Sequence, residues 1–274
     1  MHFLDACADA TWGLAIRIER SLPPAATERL ARVVARAAFG LNVPARRHLE
    51  SNLHRLLAGP AAPGKVRALA LESFEQFALM FADMLRLDRL NPEVLARSCV
   101  VTGAEHLDAA RASGRGVVVL SSHAGNWEWG AAWLSASGFP VRVLARRHRG
   151  AVERCFERRR ACHHVRRLEG DVLWRVGADA LRRGEWIAVM GDRALPGTRR
   201  SLSSWGFAVA RRGGGLLLPA VMSRIDRGRY RVTFDAPLEP RAPQRARLGE
   251  SVLAHVRRAP EQWFGFEPLP ESAA

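Results

Sequence analysis

The chain has 274 residues with an ordinary globular balance, 48% hydrophobic and 25% charged, which excludes a disordered or fibrous protein. Lys and Arg outnumber Asp and Glu by 42 to 27, giving a net charge of +15, and every basic residue except Lys65 is arginine. An excess of that size points to an anionic partner: nucleic acid, a membrane surface or a phosphorylated ligand.

Residues 1–98 read as helical. Apolar residues recur at three- and four-residue spacing over 11–20, 25–39, 46–57 and 65–87, with Pro23-Pro24, Gly59-Pro60 and Pro63-Gly64 as breaks. The first 22 residues carry Asp5, Asp9, Arg17, Glu19 and Arg20, so they do not read as a signal peptide. No stretch reaches the roughly 18 uncharged apolar residues of a spanning helix, and any membrane contact is expected to be peripheral. Residues 1–45 are a candidate for a helix lying on a membrane, but their alternation is irregular and an interior packing helix is the expectation.

The texture changes near residue 99. Strands are expected at 99–102, 116–120, 141–145, 186–190, 216–223 and 230–234. Helices are expected at 105–113, 126–137, 152–160, 173–183 and 207–212, with a closing helix from 251. This alternation specifies an α/β fold, a mixed central sheet flanked by helices. The helical segment 1–98 is expected to pack on the core 99–274 as one structural domain.

The four cysteines, Cys7, Cys99, Cys155 and Cys162, do not make a disulfide framework in a chain of this size, so a reducing compartment is the default. Cys155, Cys162, His163 and His164 fit no zinc spacing, and no metal is expected.

The chemistry concentrates in Gly116 to Gly130, which reads G-V-V-V-L-S-S-H-A-G-N-W-E-W-G. A buried strand ends at Leu120 and the chain turns to present His123, at the end of a strand where α/β sheets collect functional groups. Asn126 is expected to cap the next helix, with Glu128 in its first turn. On one continuous helix His123 and Glu128 would stand about 140° apart, so they meet only if His123 lies in the preceding turn. A carboxylate beside a histidine fixes its tautomer and makes it a general base. A polar turn whose histidine merely caps the strand remains the alternative. Ser121 and Ser122 are read as turn residues, because the G-x-S-x-G context of a nucleophile is absent.

The run H-A-G-N-W-E resembles the H-x-G-N-W-E signature of the bacterial lipid A biosynthesis acyltransferases, within the lysophospholipid acyltransferases and their H-x4-D/E motif. Asn52-Leu53, the segment Arg182 to Arg193, Trp205-Gly206, Leu217 to Ala220 and Pro260-Glu261-Gln262-Trp263 are similar to further stretches of that family. The resemblance implies a glycerolipid acyltransferase-like fold. It also implies transfer of a fatty acyl chain from an acyl carrier protein or coenzyme A thioester to a hydroxyl of a membrane glycolipid or phospholipid. No cofactor is implied beyond the donor substrate. His123 would be the base and Glu128 its orienting partner. Asn126, Asp192 and Arg193 would line the substrate side, and the enzyme would sit peripherally on the cytoplasmic face of the inner membrane.

Residues 142–167 hold ten arginines against Glu153 and Glu157. Arg146, Arg147 and Arg149 follow a strand on the side expected for His123, and phosphate recognition on a glycolipid or carrier is the reading, since arginine pairs phosphate bidentately. Arg158 to Arg160 are expected to form, in part, a solvated helical face. A nucleic-acid-binding protein is the competing class, although no base-reading motif or aromatic-basic platform is present. A lipid thioester hydrolase, with His123 activating water, is another.

Overall fold

The computed structural model describes residues 13–57, 63–145, 150–169, 173–192, 202–242 and 244–268. The N-terminal arm comprises α1 over residues 13–21, α2 (Pro24–Leu41), α3 (Val43–Leu57) and α4 (Pro63–Leu85). Pro23 precedes α2 and Pro24 opens it, where a missing N–H costs nothing. A short helix, α5 (Pro92–Arg97), capped by Asn91, leads into the α/β part.

That part runs β1 (Cys99–Thr102), α6 (Ala104–Ala112), β2 (Val117–Ser121), α7 (Trp127–Ala136), β3 (Val141–Val143), α8 (Gly150–Cys162), β4 (Arg166–Arg167), α9 (Leu173–Arg182), β5 (Trp186–Met190), α10 (Leu202–Gly213), β6 (Leu216–Asp226), β7 (Arg229–Phe234) and α11 (Gln244–Arg258). The strands form one seven-stranded sheet in the order β1-β7-β6-β2-β5-β3-β4. All neighbours are parallel except β6 and β7, which form an antiparallel pair. The sheet is therefore mixed, as the alternation predicted. The closing helix begins earlier than expected, at Gln244. The edge strand β4 was not anticipated: a pair of arginines carries no strand signal, and pairing with β3 creates it.

Strand side chains alternate between two cores. Val118, Leu120, Ile187, Val189 and Leu217 face one cluster, shared with Phe39, Leu49, Leu53 and Phe74 of the arm. Val117, Val119, Trp186, Leu216 and Leu218 face the other, packed by Trp129, Trp133 and Phe139. A near-continuous apolar β2 is what a central parallel strand covered on both faces requires. A third cluster joins Met80, Met84 and Leu85 of α4 to Cys155 and Phe156 of α8 and to Phe264.

Arg159 fastens α8 to the end of α4. Its side chain is only 2% exposed, and it donates to the carbonyls of Met84 (2.8 Å), Leu85 (2.7 Å) and Cys155 (3.0 Å). The carbonyls of Met84 and Leu85 end α4 without intrahelical partners, and a guanidinium satisfies them while matching the negative end of the helix dipole. Among the described residues no helix is long and apolar enough to cross a membrane.

Candidate active site

His123 stands two residues beyond β2, between the strand and α7. The turn is held from both sides. Gly125 has φ +58°, and a Cβ there would lie 2.3 Å from the Met222 carbonyl oxygen, so only glycine fits. The Gly125 amide donates to the Gln262 carbonyl at 3.0 Å, and the Phe264 amide donates to the His123 carbonyl at 2.9 Å. Ala124 and Trp263 form an antiparallel bridge. The Gln262 side chain is itself clamped to the Arg224 backbone, accepting from its amide at 2.6 Å and donating to its carbonyl at 3.0 Å. The P-E-Q-W stretch thus serves as a strap across the histidine turn.

The partner of the imidazole is Asp192, which follows β5. His123 Nδ1 lies 2.7 Å from Asp192 Oδ1. The His123 backbone amide donates to Asp192 Oδ2 at 2.9 Å, and so does Trp263 Nε1, also at 2.9 Å. β2 and β5 are parallel neighbours, with Ser121 paired to Met190, so His123 and Asp192 leave the sheet side by side. Burial alone would push the Asp192 carboxyl up. The charge and hydrogen bonds of His123, with the Trp263 donor, outweigh it and hold the carboxyl well below the usual range. An ionised Asp192 accepts only, so Nδ1 carries the hydrogen, and in the neutral imidazole the lone pair is on Nε2. The imidazole side chain is 16% exposed and its edge meets Trp127, with ring centroids 5.1 Å apart.

Glu128 does not hold His123, which corrects the expected pairing. It lies in the first turn of α7, buried, and its carboxylate forms a two-pronged ion pair with Arg160 of α8: Nε to Oε2 at 2.9 Å and Nη2 to Oε1 at 2.5 Å. On α7 the residue faces inward beneath the turn, and the acid that reaches the imidazole comes from the neighbouring strand. Arg159 and Arg160 are buried, and of the run Arg158 to Arg160 only Arg158 is a solvated residue.

Asn126 is also corrected. It is fully buried, so it offers no surface to a substrate. Its Oδ1 accepts from the Trp129 amide at 3.1 Å, the expected N-cap. Its Nδ2 donates to the Tyr230 hydroxyl at 3.1 Å and to the Met80 carbonyl at 3.3 Å. The Tyr230 hydroxyl donates to Asp83 Oδ2 at 2.7 Å, an atom that also accepts from Arg224 Nε at 2.9 Å. A buried polar chain thus links α4 of the arm, through β7, to the helix after His123. Sequence reading missed this chain, because its members are separated by more than 40 residues at each step.

Arg146, Arg147, Arg149 and Arg193 lie outside the described residues. The rest of the basic stretch is largely neutralised. Arg142 pairs with Glu185, and Arg167 binds Glu153, Glu157 and Glu169. Arg142, Arg160 and Arg167 line a cavity of about 480 Å³ beside Arg166 and His164, each with its guanidinium already on a carboxylate. Among other nucleophiles, the Cys99 thiol is pushed up to about 12 by burial, and burial raises Cys155 as well, so neither is a thiolate at neutral pH. Ser122 is buried, with no partner for its hydroxyl among the described residues.

A parallel-sheet core with a carboxylate-held histidine beyond its central strand is an arrangement that can serve general base catalysis. The profile of the bacterial lipid A biosynthesis acyltransferases matches residues 10–269, and the chain belongs to that family. It is similar to the phosphatidylinositol mannoside acyltransferase of Mycobacterium tuberculosis, in two strains, at 38% identity over 90 residues, 31% of this chain and 28% of the relative. It is similar to that of Mycolicibacterium smegmatis at 28% identity over 133 residues, 48% of this chain and 42% of the relative. These matches span less than half the length of the curated relatives.

Proposed function

We propose that the protein is an O-acyltransferase that moves a fatty acyl chain from an acyl thioester to a hydroxyl of a membrane glycolipid, working peripherally at the cytoplasmic face of the inner membrane. The observation that carries this reading is the His123 imidazole, with Nδ1 on Asp192 and no partner for Nε2 among the described residues. Nε2 takes the proton of the acceptor hydroxyl as its oxygen attacks the thioester carbonyl. The C–S bond then breaks, and the proton returns from the imidazolium to the departing thiolate. Asp192 fixes the tautomer and balances the transient positive charge. The thioester is already activated, so the mechanism uses no acyl-enzyme and no cofactor. Glu128 acts at one remove, by anchoring the start of α7 through Arg160. The relatives named above act on phosphatidylinositol mannoside. A glycolipid with a sugar hydroxyl is the corresponding acceptor here, in place of the lipid A precursor that the family description suggests. The donor carrier is coenzyme A or an acyl carrier protein.

The test is transfer of a labelled acyl group from acyl-coenzyme A and from acyl carrier protein, with phosphatidylinositol mannoside and a lipid A precursor as acceptors. Labelled lipid from the wild-type protein, and none from His123→Ala, is the expected result. Free fatty acid in equal yield with and without acceptor would make the protein a thioester hydrolase instead.

A further inference from the structure

The arm leaves an apolar ridge uncovered. Of the ten large hydrophobic residues exposed among those described, six fall between Leu14 and Leu41. In α2, Leu30, Val33, Val34 and Leu41 follow one another at helical spacings of three, one and seven, and so share one face, with Ala37 between them. They are not marginally exposed: Val33 is 61%, Val34 56% and Leu41 84% accessible. The opposite face of the same helix does the packing. Thr27, Ala35 and Phe39 are buried, and the Phe39 ring meets Phe74 of α4 edge-on at 5.4 Å. The helix therefore has two apolar faces, of which the core uses one.

The charges around the ridge are mixed, with arginine in excess. Arg29, Arg32 and Arg36 are exposed along one flank of α2, and Arg17 is exposed on α1. The acids nearby are occupied. Glu28 is held by Arg224 (2.6 Å) and Arg227 (2.7 Å), Glu75 by Arg32 and Arg36 (both 2.7 Å), and Glu19 is buried between Arg86 and Arg89. Aliphatic side chains beside a row of arginines match a bilayer interface with anionic headgroups. A second copy of the chain fits less well. In an antiparallel pair of such ridges the two arginine rows would lie side by side and repel.

We infer that the exposed face of α2 is the membrane-docking surface, seating Leu30, Val33, Val34 and Leu41 at the boundary of an anionic bilayer while Arg29 contacts its headgroups. This rests on the reading of a lipid acceptor for the reason a membrane is needed, but its test needs no turnover. The full-length chain is sedimented with vesicles of phosphatidylcholine and with vesicles of phosphatidylcholine and phosphatidylglycerol in equal parts. The wild type is expected to follow the mixed vesicles. The combined variant Val33→Gln, Val34→Gln, Leu41→Gln is expected to bind them about tenfold more weakly or worse, with little change in melting temperature, because these side chains are mostly exposed. Arg29→Gln is expected to weaken binding to the mixed vesicles about fivefold and to leave the neutral ones unaffected. A wild type that stays in solution, or a triple variant that sediments like the wild type, overturns the inference. So does a wild-type dimer that becomes monomeric in the triple variant, which would assign the ridge to a second copy. Vesicle binding through the ridge without acyl transfer would sink the functional reading alone.

Discussion

At the scale of single residues, the two carboxylates near His123 do different jobs. Asp192 touches the imidazole, so Asp192→Asn is expected to lower kcat by about 10²- to 10⁴-fold through the wrong tautomer, with little change in fold. Its depressed pKa also has a stability consequence. The contribution is complete above the ordinary carboxylate value of about 4 and is lost as the pH falls through the lower folded value. The stability difference between wild type and Asp192→Asn in urea is therefore expected to shrink on the acid side. Glu128 instead neutralises a buried arginine. Glu128→Leu leaves Arg160 uncompensated and is expected to cost about 3–5 kcal/mol in unfolding free energy. The double variant Glu128→Leu, Arg160→Met is expected to recover part of that loss; strictly additive losses would show that the pair is not coupled. From the sequence, H-x4-E paired His123 with Glu128, whereas in the structure the carboxylate on the imidazole is that of Asp192. Spacing along the chain says nothing about register between β2 and β5, and register is what brings Asp192 to Nδ1.

At the scale of elements, the apolar runs were readable because burial on both sheet faces writes itself directly into composition. β2 and β5 lie within a residue of their expected limits. What was not readable is what one helix does for another. Arg159 looks, in sequence, like the middle of a solvated R-R-R run, yet it closes the end of α4. Arg159→Met removes every one of those hydrogen bonds and leaves the Met84 and Leu85 carbonyls unsatisfied. A loss of about 3–5 kcal/mol is expected in chemical denaturation, against a small effect for Arg158→Met on the exposed side of the same helix. The arm itself was expected to be an interior packing element. α2 meets that expectation on one face only, and helical periodicity alone does not say whether the second apolar face has a partner in the chain.

At the scale of the whole molecule, the fold redistributes the charge. In the chain the excess appears concentrated at 142–167. In three dimensions Asp88, Glu128 and Glu185 reach that region from distant segments and offset it. A window along the sequence counts only chain neighbours, whereas screening inside a protein is done by spatial ones. One further readout spans arm and sheet together. Tyr230 is the single tyrosine, and burial first, then the Asp83 charge, hold its hydroxyl well above the ordinary value of about 10. A raised acid of this kind contributes fully below that ordinary value, and the contribution is lost progressively as the pH rises above it. Phenolate absorbance is therefore expected to appear only together with alkaline unfolding. A phenolate signal near pH 10 with native circular dichroism would show that the Asp83–Tyr230–Asn126 chain is open.

The strap across His123 comes from residues 262–264, well over a hundred positions after the histidine. On a ribosome the strand bearing that imidazole emerges long before its restraints, and domains take shape in the order they are made. A nascent chain stopped short of Gln262 carries all seven described strands with His123 and Asp192, yet has neither the Trp263 donor on Asp192 nor the backbone bonds that pin the turn. If His123 is the base proposed here, a chain truncated before Gln262 is expected to transfer no acyl group, which an assay of the truncated protein checks.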